Sequence, residues 1–148
     1  MVKSKFLHKP GRLIKDRRGS LQNIIKGNFS SCIEIFSKKG SIRSNHYHKK
    51  DSHFIYIIKG EILWAYKKLQ KNSKLVIKKL KKGSLFYTPP LEEHLAYFIK
   101  DSHIMAFSPR TGKKIFYEID TIRVNMEKYP KLKKAISKYK KWTKAISQ

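Results

Sequence analysis

Short apolar runs recur along this chain, each only a few residues long and each closed by turn-forming residues. They fall at Leu21–Ile25, Ser31–Phe36, Ile42–His48, His53–Ile58, Glu61–Lys67, Lys74–Leu80, Leu85–Thr88, His94–Phe98, His103–Phe107 and Ile115–Glu118. Runs of this length, rich in β-branched and aromatic residues, read as strands, and Lys59-Gly60, Lys71-Asn72-Ser73, Lys82-Gly83 and Thr111-Gly112 read as the turns between them. Many short strands at such spacing specify an all-β fold, a small antiparallel β-barrel or jelly roll. At 148 residues the chain has the length of one domain.

The C-terminal segment follows a different period. After Pro130, apolar residues stand at Leu132, Ala135, Ile136, Tyr139, Trp142, Ala145 and Ile146, which is one stripe of a helix, with lysines off the stripe. Proline suits the first helical turn. Residues 1–125 are therefore expected to form the barrel, and residues 126–148 a basic amphipathic C-terminal helix packed on it or on a partner subunit. A membrane-surface role for that helix is the less favoured alternative.

The formal charge is +25, with 35 basic against 10 acidic residues. Such a charge attracts polyanions. Only Arg12, Arg17, Arg18, Arg43, Arg110 and Arg123 are arginines, and the lysines are spread through every segment. Nucleic-acid readers favour arginine for its bidentate contacts. An anionic small substrate therefore fits better than a nucleic acid, which stays as an alternative partner. The one cysteine, Cys32, excludes an intrachain disulfide and suits a reducing cytoplasm. It is expected in the core. No stretch approaches the about 18 apolar residues of a membrane span, and the N-terminus lacks the apolar run of a signal peptide.

Four of the six histidines are placed to do chemistry. Residues two apart on a strand share a face, so His46 and His48 point the same way. His53 opens the next strand, and His94 opens a later one. Imidazoles gathered inside a barrel can move protons near neutral pH or bind a divalent metal.

Gly40, His46-Tyr47-His48, His53 and Gly60 are spaced like the first cupin motif, and Gly83, Pro89, His94 and Phe98 like the second. The chain thus resembles the cupins from Gly40 to Phe98. Two positions depart from the family pattern. His53 stands where the motif has glutamate, and Leu91 stands where it has glycine. The first turns a three-histidine-plus-carboxylate metal set into the four-histidine set His46, His48, His53 and His94, acceptable for zinc, nickel, copper, iron or manganese.

Within the cupins, Ile42-Arg43-Ser44-Asn45-His46-Tyr47-His48-Lys49 resembles the Arg-Gly-x-His-x-His-Lys segment of sugar-nucleotide-modifying members. These are the nucleotide-sugar 3,4-ketoisomerases, the 3,5-epimerases and the cupin domains of capsular-sugar enzymes. Phe107–Arg110 and Asp120–Arg123 resemble them more weakly. Ser44 replaces the usual glycine and His53 the usual glutamine. The resemblance implies a nucleotide-sugar isomerase or epimerase of polysaccharide biosynthesis, acting on a 4-keto-6-deoxyhexose, with His46 and His48 as acid and base and no metal required.

His94 is then expected to face the pair across the barrel and polarise the substrate oxygen. Arg43, Lys49 and Arg123 are expected on the diphosphate of a nucleoside-diphosphate sugar, although Arg43 falls outside the face that His46 and His48 share. Lys50 and Arg110 are further cations for that role. Tyr56 and Tyr97 are candidate substrate contacts and alternative bases. Asp51 reads as a turn residue, and Asp120 as a partner of Arg123 or of the backbone. A homodimer is expected, because a small barrel of this kind leaves apolar sheet to cover. Two other readings stay open, a metal-dependent enzyme such as an oxygenase or another isomerase, and a sugar- or nucleic-acid-binding module without catalysis.

Overall fold

The computed structural model of the chain describes residues 5–110 and 113–146, with side chains up to residue 140. Two five-stranded antiparallel sheets carry the fold. The first holds β1 (Leu7–His8), β9 (Leu85–Thr88), β6 (His53–Lys59), β11 (Ser102–Ser108) and β4 (Ser31–Ser37), in that order. The second holds β12 (Thr121–Arg123), β5 (Ile42–His48), β10 (Glu92–Phe98), β7 (Glu61–Lys68) and β8 (Val76–Lys81). The sheets are not closed into a ring, so the all-β architecture takes its jelly-roll form. A separate hairpin joins β2 (Ile14–Asp16) to β3 (Gly19–Leu21).

Strand alternation builds the core between the sheets. Ile55, Ile57, Phe86, Ile104 and Ala106 from the first sheet meet Ile62, Trp64, Leu80, Ala96 and Phe98 from the second. The second sheet is apolar on its other face too, where Leu63, Ala65, Leu95 and Tyr97 pack under the C-terminal helix α2 (Pro130–Ile146) through Leu132 and Ile136. Covered on both faces, β10 is buried along its whole length. The helical stripe is thus observed through Tyr139; the side chains of Trp142, Ala145 and Ile146 lie outside the described residues, as does the Thr111-Gly112 turn. Among the described residues, no helix is long and apolar enough to cross a membrane.

Two expected strands are different structures. Residues Ile115–Glu118 lie in a helix, α1 (Lys114–Asp120), whose Ile115, Phe116 and Ile119 are exposed. A four-residue apolar run fits a strand or a single helical turn equally well, and here no sheet edge receives it. The run read as Leu21–Ile25 is a strand only to Leu21, because the chain turns earlier, where Asp16 accepts the Arg18 backbone N–H at 2.8 Å and Gly19 takes φ +132°. Cys32, expected in the core, is exposed, because it lies on the outer face of edge strand β4.

The two positions that depart from glycine keep glycine's backbone. Ser44 has φ +65° and Leu91 φ +58°, in the left-handed region that costs a side-chain-bearing residue about 1–2 kcal/mol. Leu91 is 52% exposed, so it loses little burial on truncation. Leu91→Gly is expected to stabilise the fold by up to about 1 kcal/mol, read as a rise of a few degrees in thermal unfolding. A lower melting temperature would mean that the Pro89–Glu92 corner is not held in this conformation.

Candidate active site

Ser44 and the following Asn45, at φ +61°, form a bulge in β5. The pairing with β10 slips there, from His94 opposite His46 to Leu95 opposite Ser44. An extra residue reverses the face of everything before it. Arg43, on the opposite face by simple counting, is thereby brought to the same side as His46 and His48. All three line a cavity of about 390 Å³ between the sheets, together with His53, Trp64, His94, Arg110, Lys114, Tyr117 and the carboxylates of Asp51 and Asp120.

The imidazoles form one cluster. His46 stands 4.7 Å from His48 and 4.8 Å from His94 between ring centres, and His48 stands 4.7 Å from His53. His94 is beside His46 on the neighbouring strand, and not across the barrel as expected, because β10 pairs with β5. Trp64 stacks on the far face of His94 at 5.2 Å. His94 Nδ1 donates to the Glu92 carbonyl at 2.9 Å, which leaves Nε2 with the lone pair.

His48 is held differently. Its Nδ1 lies 3.4 Å from Asp120 Oδ2 and 3.3 Å from Thr121 Oγ1, on the segment that returns along β12. Asp120 is itself fixed, accepting the backbone N–H of Lys50 at 2.8 Å and of Asp51 at 3.0 Å. An anchored carboxylate behind an imidazole sets its tautomer and stabilises the imidazolium that forms when it takes a proton. The distal nitrogen, His48 Nε2, is buried without a partner, as is His46 Nδ1. Tyr117 reaches over both rings from α1, at 6.2 Å from His46 and 5.8 Å from His48.

Burial keeps these rings neutral. It pulls His46 down to about 3, helped by the charges of His48 and Arg123. It pulls His48 down to about 4, against the opposing pull of Asp51 and Asp120, and holds His94 well below the ordinary value. Neutral rings are the form that can accept a proton. Glu92, on the same strand face as His94, is pushed up to about 7 by burial, which the charge of Lys68 only partly offsets.

Stability should follow both groups. The unfolded chain binds protons at these histidines as pH falls below 6.5 while the folded chain does not, so stability is lost from pH 6.5 down toward 3. Glu92 acts in the other sense. Its contribution is lost as pH rises from 4.5 to about 7. Thermal melts are expected to show greatest stability near pH 6–7, and Glu92→Gln to raise the melting temperature at pH 8 more than at pH 5. An equal effect at both pH values would show that Glu92 ionises as freely in the fold as outside it.

Other expected contacts lie elsewhere. Tyr56 is on the opposite face of β6 from His53 and Ile55, which line the cavity. Tyr97 is on the opposite face of β10 from His94 and Ala96, packed near Tyr139 of α2. Each tyrosine stands three positions from its neighbouring histidine, an odd offset on a strand, so neither reaches a ligand between the sheets. Lys49 is exposed, follows His48 onto the outer face, and contributes its backbone N–H to the Asp120 carbonyl at 2.9 Å. Arg123 is exposed outside the lining, opposite His46 on β12. Of the expected cations, Arg43 and Arg110 line the cavity, joined by Lys114. Arg43 Nε donates to Ser37 Oγ at 2.7 Å, which fixes its guanidinium part-way into the cavity.

Three of the four expected metal ligands come together. His46, His48 and His94 each offer a ring nitrogen, all within 4.8 Å of one another. His53 is turned to Asp51, with Nε2 3.3 Å from Oδ2. Three neutral imidazoles, two with unpartnered nitrogens, fit a divalent transition metal. Held there, it would supply Lewis-acid polarisation of a carbonyl oxygen.

Residues 21–110 match the family model described as Cupin. No curated protein matches the sequence. Solved structures do. A dTDP-4-dehydrorhamnose 3,5-epimerase from Sulfolobus tokodaii is 21% identical, over 80% of this chain and 77% of that one, with a TM-score of 0.66. QdtA, a sugar 3,4-ketoisomerase from Thermoanaerobacterium thermosaccharolyticum in complex with TDP, is 20% identical over 95% and 98%, with a TM-score of 0.65. A mutant of QdtA in complex with TDP-4-keto-6-deoxyglucose is 19% identical over 90% and 92%, with a TM-score of 0.64.

Proposed function

The chain belongs to the cupin family, and we propose that it is an isomerase or epimerase of nucleotide-linked 4-keto-6-deoxy sugars. The observation that carries this reading is the His48–Asp120 couple facing a cavity with cations at its side. A keto sugar has acidic hydrogens beside its carbonyl. Removing one gives an enediolate, and returning a proton elsewhere gives the isomer or epimer. His48 Nε2 is the base, with Asp120 bearing the charge that develops on the ring. His46, His94 and the Tyr117 hydroxyl surround the position where the oxygen turns negative. Arg43, Arg110 and Lys114 are the cations for a diphosphate, with Arg43 offering a planar fork.

A homodimer is part of the same proposal. Phe36 is exposed on β4, the outermost strand of the first sheet, and Ile14 and Leu21 on the separate hairpin. A monomer in sedimentation at micromolar concentration would remove that part. The functional reading itself is tested by incubating the protein with nucleoside-diphosphate 4-keto-6-deoxyhexoses in deuterated water. Deuterium beside the carbonyl is expected. A panel left entirely unexchanged overturns the reading.

A further inference from the structure

Asn45 does not line the cavity, and the chemistry above makes no use of it. The β5–β10 pairing sets Ala96 opposite Arg43, Leu95 opposite Ser44 and His94 opposite His46, so Asn45 is the residue that the bulge inserts. Its φ of +61° lies in the left-handed region, which asparagine enters more readily than most residues with a side chain. The inserted residue is also held from outside the strand pair. Its carbonyl accepts the Val124 backbone N–H at 3.0 Å, and its Oδ1 accepts the Met126 backbone N–H at 2.9 Å. Met126 is fully buried with Leu132 and Ile136 under α2, and Val124 packs against the same group. The bulge is thus pinned to the second apolar core.

The consequence falls on Arg43. His46 is fixed by its place opposite His94. In a regular strand, counting back from His46 turns residue 45 outward, Ser44 inward and Arg43 outward. The inserted residue reverses that order. Arg43 then crosses from β5 to β4, the outermost strand of the other sheet. There its Nε donates to Ser37 Oγ at 2.7 Å and an Nη donates to the Phe36 carbonyl at 3.3 Å.

We propose that Asn45 is a positioning residue of this site, which holds the bulge and so keeps the Arg43 guanidinium where the substrate diphosphate binds. The proposal rests on the functional reading above and adds a determinant of affinity that lies outside the cavity wall. The base has a separate anchor. Asp120, behind His48, is held through the backbone N–H groups of Lys49, Lys50 and Asp51. Loss of the Asn45 hold should therefore weaken binding of the diphosphate more than it slows the proton transfer.

The test measures TDP binding by calorimetry, with steady-state kinetics and a melting curve, for Asn45→Leu, Asn45→Ala, Asn45→Asp and Arg43→Ala. Leucine and alanine lose both the acceptor oxygen and the ease in left-handed backbone, whereas aspartate keeps both. Arg43→Ala, Asn45→Leu and Asn45→Ala are each expected to weaken TDP binding about 30-fold, the loss of one charge-assisted contact. Asn45→Asp should stay within about threefold of wild type. Arg43→Ala combined with Asn45→Leu or Asn45→Ala should bind no more weakly than either single variant, because both act on one side chain. KM should rise by more than kcat falls, which a general loosening of the site would not produce. Arg43→Ala, or the folded leucine and alanine variants, binding TDP within about twofold of wild type overturns the proposal. So do additive losses in the double variants, or Asn45→Asp as weak as Asn45→Leu. Failure of both leucine and alanine variants to fold would make Asn45 a residue of the fold and not of the site, and overturns it too. Wild type that binds neither TDP nor any other nucleoside diphosphate overturns the functional reading itself.

Discussion

Replacing His48 by asparagine is expected to lower turnover of the sugar substrate about 1,000-fold, within the range for loss of a general base. That corresponds to about 4 kcal/mol in the barrier. The effect should fall on kcat more than on KM, because the cations that would hold the diphosphate are other side chains, Arg43 beyond the β5 bulge, Arg110 after β11 and Lys114 in α1. The fold should survive. His48 is 1% exposed and its Nε2 has no hydrogen-bond partner, so a smaller neutral amide there adds mainly a small void. Asp120→Asn should be less severe on kcat, since the imidazole stays but loses the charge behind it. Steady-state kinetics with a melting curve for each variant check both statements. His48→Asn with more than a tenth of wild-type turnover would remove this ring from the chemistry.

The second large effect concerns the frame of the site. Gly60 makes the turn between β6, which carries His53, and β7, which carries Trp64. Its φ is +97°, and a methyl group built on it would stand 2.6 Å from the Cα of Ser102 at the start of β11, closer than atoms pack. The neighbour is backbone, and Ser102 Oγ is already engaged, accepting the Glu61 N–H and donating to the Lys100 carbonyl. Gly60→Ala is therefore expected to destabilise by about 3 kcal/mol or more, from backbone strain of about 1–2 kcal/mol plus overpacking, and to lower the melting temperature by roughly 10 °C. Gly83→Ala is the control. Gly83 has nearly the same φ, +88°, with nothing within 4 Å of the added carbon, so it should lose only the backbone part. Equal losses at the two glycines would contradict the close approach of this turn to β11.

The histidine pair was readable because its chemistry is local. His46-Tyr47-His48 sits on a strand whose ends, Ile42 and His48, are those expected from the apolar pattern, and Leu85–Thr88 is likewise a strand as read. Tyr56 and Tyr97 could have been set aside from the same period, since each lies three residues from its histidine. Arg43 shows the opposite case. Counting places it outside, and only the Ser44-Asn45 bulge, invisible without backbone angles, returns it to the cavity. Asp120 and Tyr117 were out of reach for another reason. They come from 70 residues further along, on a short helix and strand that close over β5, and sequence spacing carries no signal of that return. Asp51 lies between β5 and β6, where its Oδ1 accepts the Ser52 N–H, and its contact with His53 depends on how the chain enters β6, which sequence spacing does not show.

The most direct test is proton exchange by the unmodified protein. Incubated in deuterated water with TDP-4-keto-6-deoxyglucose, it is expected to place deuterium on the carbon beside the carbonyl, seen as loss of that proton signal by NMR, and His48→Asn is expected not to. Persistent full proton intensity with the folded wild-type protein, across a panel of nucleoside-diphosphate 4-keto sugars, would contradict the central claim that these buried histidines are the acid and base of a sugar-nucleotide enzyme.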